Sequence, residues 1–582
     1  MIGTVQSFAR LIYFFGMRVA PFRCRNHTRG ARGPHLAGGS VRWNPAHLAG
    51  LFACLIFCLV SMPASASGTT RNVQSYGAVG NGSHDDTAAI NSAIAALRPG
   101  DTLLFPCTAN STYLITSQLT INVTDVSVDG SSCAAIRDTG SGTVMVIGGS
   151  GNGNPNYGPA VALSATANEL ATSFTTVTSL GVAAGDYVRL QEGGRDGSNG
   201  SGDTGCDPSG CRGEVLKVAS VSGNTIRVTT ALHDTYDPVL NLATAQRILS
   251  PLTGMTVKNI TFDGTGSNVY GLALAGVAYS AVSGVTSKNV QGAALLNRGD
   301  FNVAWSNITI TGSGSAQCGS AAWFENQGNL SVDGMSISNE NPGTGAGCLS
   351  NGAFGFELIG SANGTITNLT VDATGAYGRP FKTTAARWNT FNSVTIQNGK
   401  LADMNGISLE YYSSHNTYNS CIVTNNGTSG TGTGNAGINL FGNFNQYNIF
   451  SNCTVTGNGN VQFYDSYFDA LGLGTDANNA IVGGTYTGSN TAEAVILLEA
   501  SSNSVSGATI SAPGSVGIEM DPARGSAPGG ANACINNNVL LPGTPPNTLS
   551  NGISAAFSSD IGSGNQLNGL SSNLTAGTCA AP

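Results

Sequence analysis

Asparagine recurs in the second half of the chain at positions 302, 329, 363, 389, 416, 448, 479 and 503. Each precedes a short alternating run by about five or six residues, as Asn302 does Ile308 to Ile310 and Asn416 does Cys421 to Val423. The spacings are 27, 34, 26, 27, 32, 31 and 24 residues. A period of roughly 20–50 residues is the mark of a solenoid, in which each repeat buries its apolar face against the next. Asparagine tolerates the left-handed backbone of a tight corner, and identical amides stacked along an axis hydrogen-bond to one another. These asparagines are read as structural, with no catalytic weight.

Only a repeat architecture absorbs 582 residues in one elongated body; otherwise the length suits several domains. Charged residues make up 10% of the chain, against roughly 25% in ordinary soluble domains, while glycine reaches 80 residues. Low charge with ordinary hydrophobicity argues against disorder and suits short stacked strands joined by Gly, Asn, Ser and Thr turns. The net charge of −8 and the lack of a basic stretch after residue 66 exclude nucleic acid as an expected partner.

Residues 1–66 read as an export leader. Seven arginines from Arg10 to Arg42 precede the apolar core Leu48 to Val60, and Ala64-Ser65-Ala66 is a small-residue cleavage site. Beyond it no segment is apolar enough to span a membrane, so a secreted, extracellular or periplasmic location is expected. The ten cysteines after the leader fall into five neighbouring pairs: Cys107/Cys133, Cys206/Cys211, Cys318/Cys348, Cys421/Cys453 and Cys534/Cys579. Cys421 and Cys453 hold matching places in consecutive repeats, which suits a disulfide. Zinc is the competing reading, but no Cys-x₂-Cys spacing occurs and the only histidines there are His84, His233 and His415.

Before the repeats lies a distinctive segment. Tyr76-Gly-Ala-Val-Gly80, Asp85-Asp-Thr-Ala-Ala-Ile90, Phe105-Pro106 and Thr112-Tyr-Leu-Ile115 follow one another within about forty residues. The aspartates suit the cap of a short helix whose apolar face is Ile90, Ala93, Ile94 and Leu97, placed to plug an exposed sheet end. The glycines at 77, 80 and 82 do not make a phosphate loop, because no Lys-Ser/Thr follows. The ordered set resembles the opening of the pectate-lyase-like family of rhamnogalacturonase and epimerase type. That resemblance implies an all-β, right-handed parallel β-helix acting on polysaccharides, with these residues building its cap and not its active site.

The expected organisation is a cap and first coils over 67–160, a small antiparallel β module inserted at 161–245, the main β-helix over 246–525 and a closing segment over 526–582. The module's Glu192–Cys211 loop is read as a surface loop clipped by Cys206/Cys211, with sugar or calcium binding as the sharper alternative.

In such a helix, inward side chains form an apolar stack and outward ones a ladder about 4.8 Å apart. Alternation puts Phe356, Leu358, Phe381, Ile407 and Leu409 inside, and Glu357, Lys382, Ser408 and Glu410 outside. Glu357 and Glu410 both lie six residues before their asparagine and Lys382 seven, so a slip of one residue is needed to align all three. The expected reaction centre is Glu357, Lys382 and Glu410, with Trp323, Arg379, Arg387, Tyr412 and His415 as substrate-binding flanks. A surface salt-bridge ladder is the bland alternative. In one chemistry, β-elimination, acidic groups or a calcium ion neutralise a uronate carboxylate while Lys or Arg takes the C5 proton. The other is hydrolysis by the two glutamates, roughly 9–10 Å apart. The Asn-Thr-Asp, Gly-Asp-Asp, Gly-His-Gly and Arg-Ile-Lys signatures of related polygalacturonases do not occur, which favours the lyase. A non-catalytic adhesin is the third reading. Asp465, Tyr467 and Asp469 form the reserve acidic cluster. No cofactor is required by the sequence, calcium is the one candidate, and no metal ligands are assigned.

Overall fold

The computed structural model describes residues 68–577 except 109–110, 152, 193–211, 241, 265–269, 314–319, 339–354, 375–378, 400–404, 429–434, 443, 467–475, 489–493, 512–515, 521–532, 542, 545–546, 549–550, 556–559 and 569. The expected leader, Cys206/Cys211, Cys318, Cys348, Cys579, Tyr467 and Asp469 lie outside the described residues.

The helix Thr87–Ala95 buries Ile90 and Ala93 over the first coil, and Leu97 follows them into the core. Its two aspartates divide the labour. Asp85, one place before the N-cap position, accepts a hydrogen bond from the Thr87 backbone N–H at 3.0 Å. Asp86, fully buried, accepts instead from the amides of Val79 (2.7 Å) and Gly80 (3.0 Å) and pins the preceding glycine turn.

Parallel pairing then runs from coil to coil along the chain, giving a right-handed parallel β-helix. A 13-stranded sheet forms one wall, passing through Phe356–Ile359, Phe381–Thr384, Ile407–Glu410, Ala436–Phe441 and Val461–Asp465. The other two walls merge into a 26-stranded sheet because strands such as Ser331–Ser338 and Thr365–Asp372 run through both. Each wall sends an apolar column inward. Phe391, Tyr418, Phe450, Ile481 and Val505 stack on one, and Ile396, Val423, Val455, Tyr486 and Ile510 on another. Phe391–Tyr418 and Tyr418–Phe450 are parallel ring stacks at 4.5 and 4.8 Å, the spacing of the strands that carry them.

The asparagines serve two roles, not one. Asn302, Asn329 and Asn363 take the left-handed conformation at the corner, with φ of 56°, 56° and 58°. From the next coil on, that corner residue is Trp388, His415, Tyr447, Asn478 or Ser502, and the repeated asparagine sits one place later. There Asn389, Asn416, Asn448 and Asn479 are buried and linked, each Nδ2 of the first three donating to the next Oδ1 at 3.0–3.1 Å. This one-residue offset is the physical origin of the register slip inferred from the sequence.

Between early coils, Val161–Ala162, Ser173–Thr175, Tyr187–Gln191, Gly213–Ser222, Thr225–Val228 and Thr244–Arg247 form a six-stranded antiparallel sheet with its own small core. Disulfides join Cys107 to Cys133 and Cys421 to Cys453. Cys534 is disulfide-bonded as well.

Candidate active site

On the 13-stranded wall, parallel pairing aligns Trp323, Glu357, Lys382 and Ser408 in one outward row. Glu325, Ile359, Thr384 and Glu410 make the next. Glu410 is therefore two residues further along its strand than Glu357, and the shared register read from the sequence is corrected. The reason is twofold. Asn363 and Asn416 hold different corner positions, and Tyr411, with φ of 32°, adds a residue after Glu410.

Side-chain length closes the gap that the backbone leaves. Lys382 Nζ lies 3.0 Å from Glu410 Oε2 and 3.7 Å from Glu357 Oε1. Those two oxygens are thus at most 6.7 Å apart, closer than the strand spacing suggested. Arg379, from the turn before Phe381, donates through Nη1 to Glu410 Oε1, which also accepts from Ser408 Oγ at 3.1 Å. Ser320 Oγ donates to Glu357 Oε2. The sequence reading missed Ser320; nothing in the chain marks one serine among so many.

The expected exposed ladder is in fact enclosed. Glu357, Lys382 and Glu410 are 3%, 2% and 2% exposed. Two carboxylates, one ammonium and one guanidinium make a neutral set, which is the condition for keeping charges out of water. Trp323 extends the row at one end and carries the Arg298 guanidinium 4.7 Å over its ring.

Three expected flanks go elsewhere. Fully buried Arg387 pairs with Asp234 at 3.0 Å and donates to the Gly213 carbonyl at 3.1 Å, both in the inserted sheet region. Tyr412 lies beneath Arg212, 4.3 Å from its ring, and stacks on Phe444 at 4.9 Å. His415 stands 3.8 Å from Glu169. These side chains fasten the inserted sheet to the coils. Against the penalty of burial, Arg212 and Arg387 hold the Asp234 carboxyl below its ordinary range. Burial pushes the His415 imidazole down, opposed by Glu169.

Further along, Asp465 points inward and accepts from Asn479 Nδ2 at 2.9 Å, and burial raises its carboxyl to about 7. Buried Asp476 beside it is raised too. Asp465 and Asp476 thus form a pair of protonatable core groups; Tyr467 and Asp469 of the reserve cluster lie outside the described residues. Among the described residues, no three His, Cys, Asp or Glu side chains are grouped to hold a metal ion. No described helix is long and apolar enough to cross a membrane.

Residues 70–321 match the family described as rhamnogalacturonase A/epimerase, pectate lyase-like. No curated protein matches the chain. Among solved structures, the tailspike protein gp49 from Pseudomonas phage LKA1 is similar at 16% identity, covering 88% of this chain and 83% of that one, with a TM-score of 0.49. The A-module of the Azotobacter vinelandii mannuronan C-5 epimerase AlgE6 is similar at 12% identity, with 85% and 98% covered and a TM-score of 0.44. The Gp54 tailspike of Acinetobacter baumannii bacteriophage AP22, solved with A. baumannii capsular saccharide, shows 13% identity over 85% and 76%, with a TM-score of 0.43.

Proposed function

We propose that this chain, whose residues 70–321 match the pectate-lyase-like rhamnogalacturonase A/epimerase family, cleaves a uronate-containing polysaccharide by β-elimination at Glu357, Lys382 and Glu410. One observation carries the reading: two cations, Lys382 and Arg379, converge on a single carboxylate, Glu410, with a second carboxylate alongside. A uronate carboxylate is the same chemical group as that of Glu410, so a lysine–arginine pair that grips one suits the other. Neutralising the uronate makes its C5 proton more acidic.

The roles then differ from those expected from sequence. As an ammonium paired with two carboxylates, Lys382 has no lone pair with which to take a proton. Glu357, steadied by Ser320, is the acceptor. The C5–H electron pair forms the C4–C5 double bond, the C4–O bond breaks, and the proton taken by Glu357 passes to the leaving oxygen. The 6.7 Å limit between glutamate oxygens falls within the range of hydrolase pairs, roughly 5–9.5 Å. In this chain, however, the ammonium fills the gap that the glycosidic bond or a water molecule needs. The disulfides and the apolar leader support export to an oxidising compartment.

The near-complete enclosure of the three charges supports a second reading, a glycan-binding protein without turnover. The deciding experiment is incubation with a panel of acidic and neutral polysaccharides, reading both the ultraviolet absorbance of unsaturated ends and reducing sugar. Unsaturated ends that vanish in Lys382→Ala support the lyase. Reducing ends alone overturn it in favour of hydrolysis, and retention without either product leaves the binding protein.

A further inference from the structure

The corner after the 13-stranded wall repeats one backbone state, left-handed, on coil after coil. Asn302, Asn329, Asn363 and Asn478 fill it with the residue type that accepts this conformation best. On three consecutive coils between them it is filled by Trp388, His415 and Tyr447, with φ of 56°, 55° and 56°. Bulky aromatic side chains are strained there, and burial does not compensate them: Trp388 is 36% and Tyr447 48% exposed.

The three rings form one column. Trp388 and His415 stack at 4.5 Å with 1° between planes, and His415 and Tyr447 at 4.8 Å and 20°. Glu169 of the inserted segment fixes the inner end, accepting from Trp388 Nε1 at 2.8 Å. Tyr447 is the outer end. Among the described residues, no ring or cation packs on its other face. The corner residues that follow, Asn478 and Ser502, are exposed and polar.

We infer that Tyr447, backed by His415 and Trp388, is a stacking platform for a pyranose ring of a polysaccharide, with Asn478 supplying hydrogen bonds to its hydroxyls. A flat sugar laid on Tyr447 continues the column at its natural spacing, its C–H face against the ring and its hydroxyl rim beside the amide. Anchoring by Glu169 holds the platform ready, so little ordering is lost on binding. The column is separate from the Glu357–Lys382–Glu410 centre. The inference rests on the polysaccharide part of the proposed function and not on its chemistry.

The test exploits the strain. Tyr447→Asn installs the residue that other coils use at this corner. Affinity electrophoresis of the full chain in gels containing polygalacturonate, alginate or dextran reads binding, and thermal unfolding reads stability. The platform predicts roughly tenfold weaker retention on at least one polymer, with the melting temperature unchanged or raised. Trp388→Asn should weaken retention on the same polymer. Wild-type retention by Tyr447→Asn overturns the inference, as does absence of wild-type retention on all three polymers. A lowered melting temperature with intact retention would make the column a structural brace. Retention needs no turnover, so a failure of the elimination chemistry leaves this result unaffected.

Discussion

The two kinds of wall in this β-helix share parallel pairing and alternation, yet treat their outward side chains in opposite ways. On the large sheet, strands such as Thr390–Asn392, Thr417–Asn419 and Thr395–Gln397 bury the central residue and leave the flanking Thr, Asn and Gln partly open. On the 13-stranded sheet, every residue of Phe356–Ile359, Phe381–Thr384 and Ile407–Glu410 is buried. The first wall meets solvent and tolerates any small polar residue. The second is enclosed, so a charge on it persists only with a partner, and there Glu357, Lys382, Glu410 and Arg379 satisfy one another. Enclosure, not the alternation pattern, separates a soluble face from a site.

The sharpest break of this comparison is Lys382→Ala. It should lower turnover on an identified substrate by about 10²-fold or more, the scale of a group acting in the transition state. The same change leaves buried Glu357 without its cation and Glu410 with Arg379 alone, and should cost about 3–5 kcal/mol in urea unfolding. A smaller loss is expected from opening the Cys421–Cys453 disulfide, which closes 32 residues between adjacent coils. The double change to alanine should cost about 2–4 kcal/mol, read from the urea midpoint. Asn416→Ala removes one rung of the amide column and leaves the buried backbone N–H of Asn389 without its acceptor, for about 1–3 kcal/mol by the same measurement.

Buried acids give a slope. The carboxyls of Asp300 and Asp465 are raised from the ordinary 3.8 to about 8 and about 7, chiefly by burial. The folded state keeps protons that the unfolded state releases above pH 3.8. Stability from these groups is therefore full below that pH and falls as pH rises through the window up to 7–8, by at most about 1.4 kcal/mol per pH unit for each. Unfolding of Asp300→Asn followed from pH 5 to 9 should show a flatter dependence than wild type. The smallest effect belongs to the open wall, where Thr395→Ala should stay within about 0.5 kcal/mol. A large loss there would erase the contrast between the walls.

The fold was legible because its evidence is local and repeated. The asparagine period, the alternating runs and the Tyr76–Ile115 segment each specify a coil or its cap without reference to distant residues, and the Cys421/Cys453 match specifies two coils in register. The outward placement of Glu357, Lys382 and Glu410 followed from alternation alone. Their true offset did not, because it depends on which residue turns the corner, Asn363 in one coil and Trp388 or His415 in the next. Arg387, Tyr412 and His415 looked like substrate contacts because they flank the charged triad in a chain poor in charge. Their partners Asp234, Arg212 and Glu169 lie at least 153 residues earlier in the chain, on the inserted segment. The sequence by itself determined the repeat, the inward columns and the sign of each outward charge, which depend on periods of two and about thirty. Only the tertiary structure decided which wall is enclosed and which charges share one nitrogen, because those depend on side chains brought together from coils and a sheet that no local period relates.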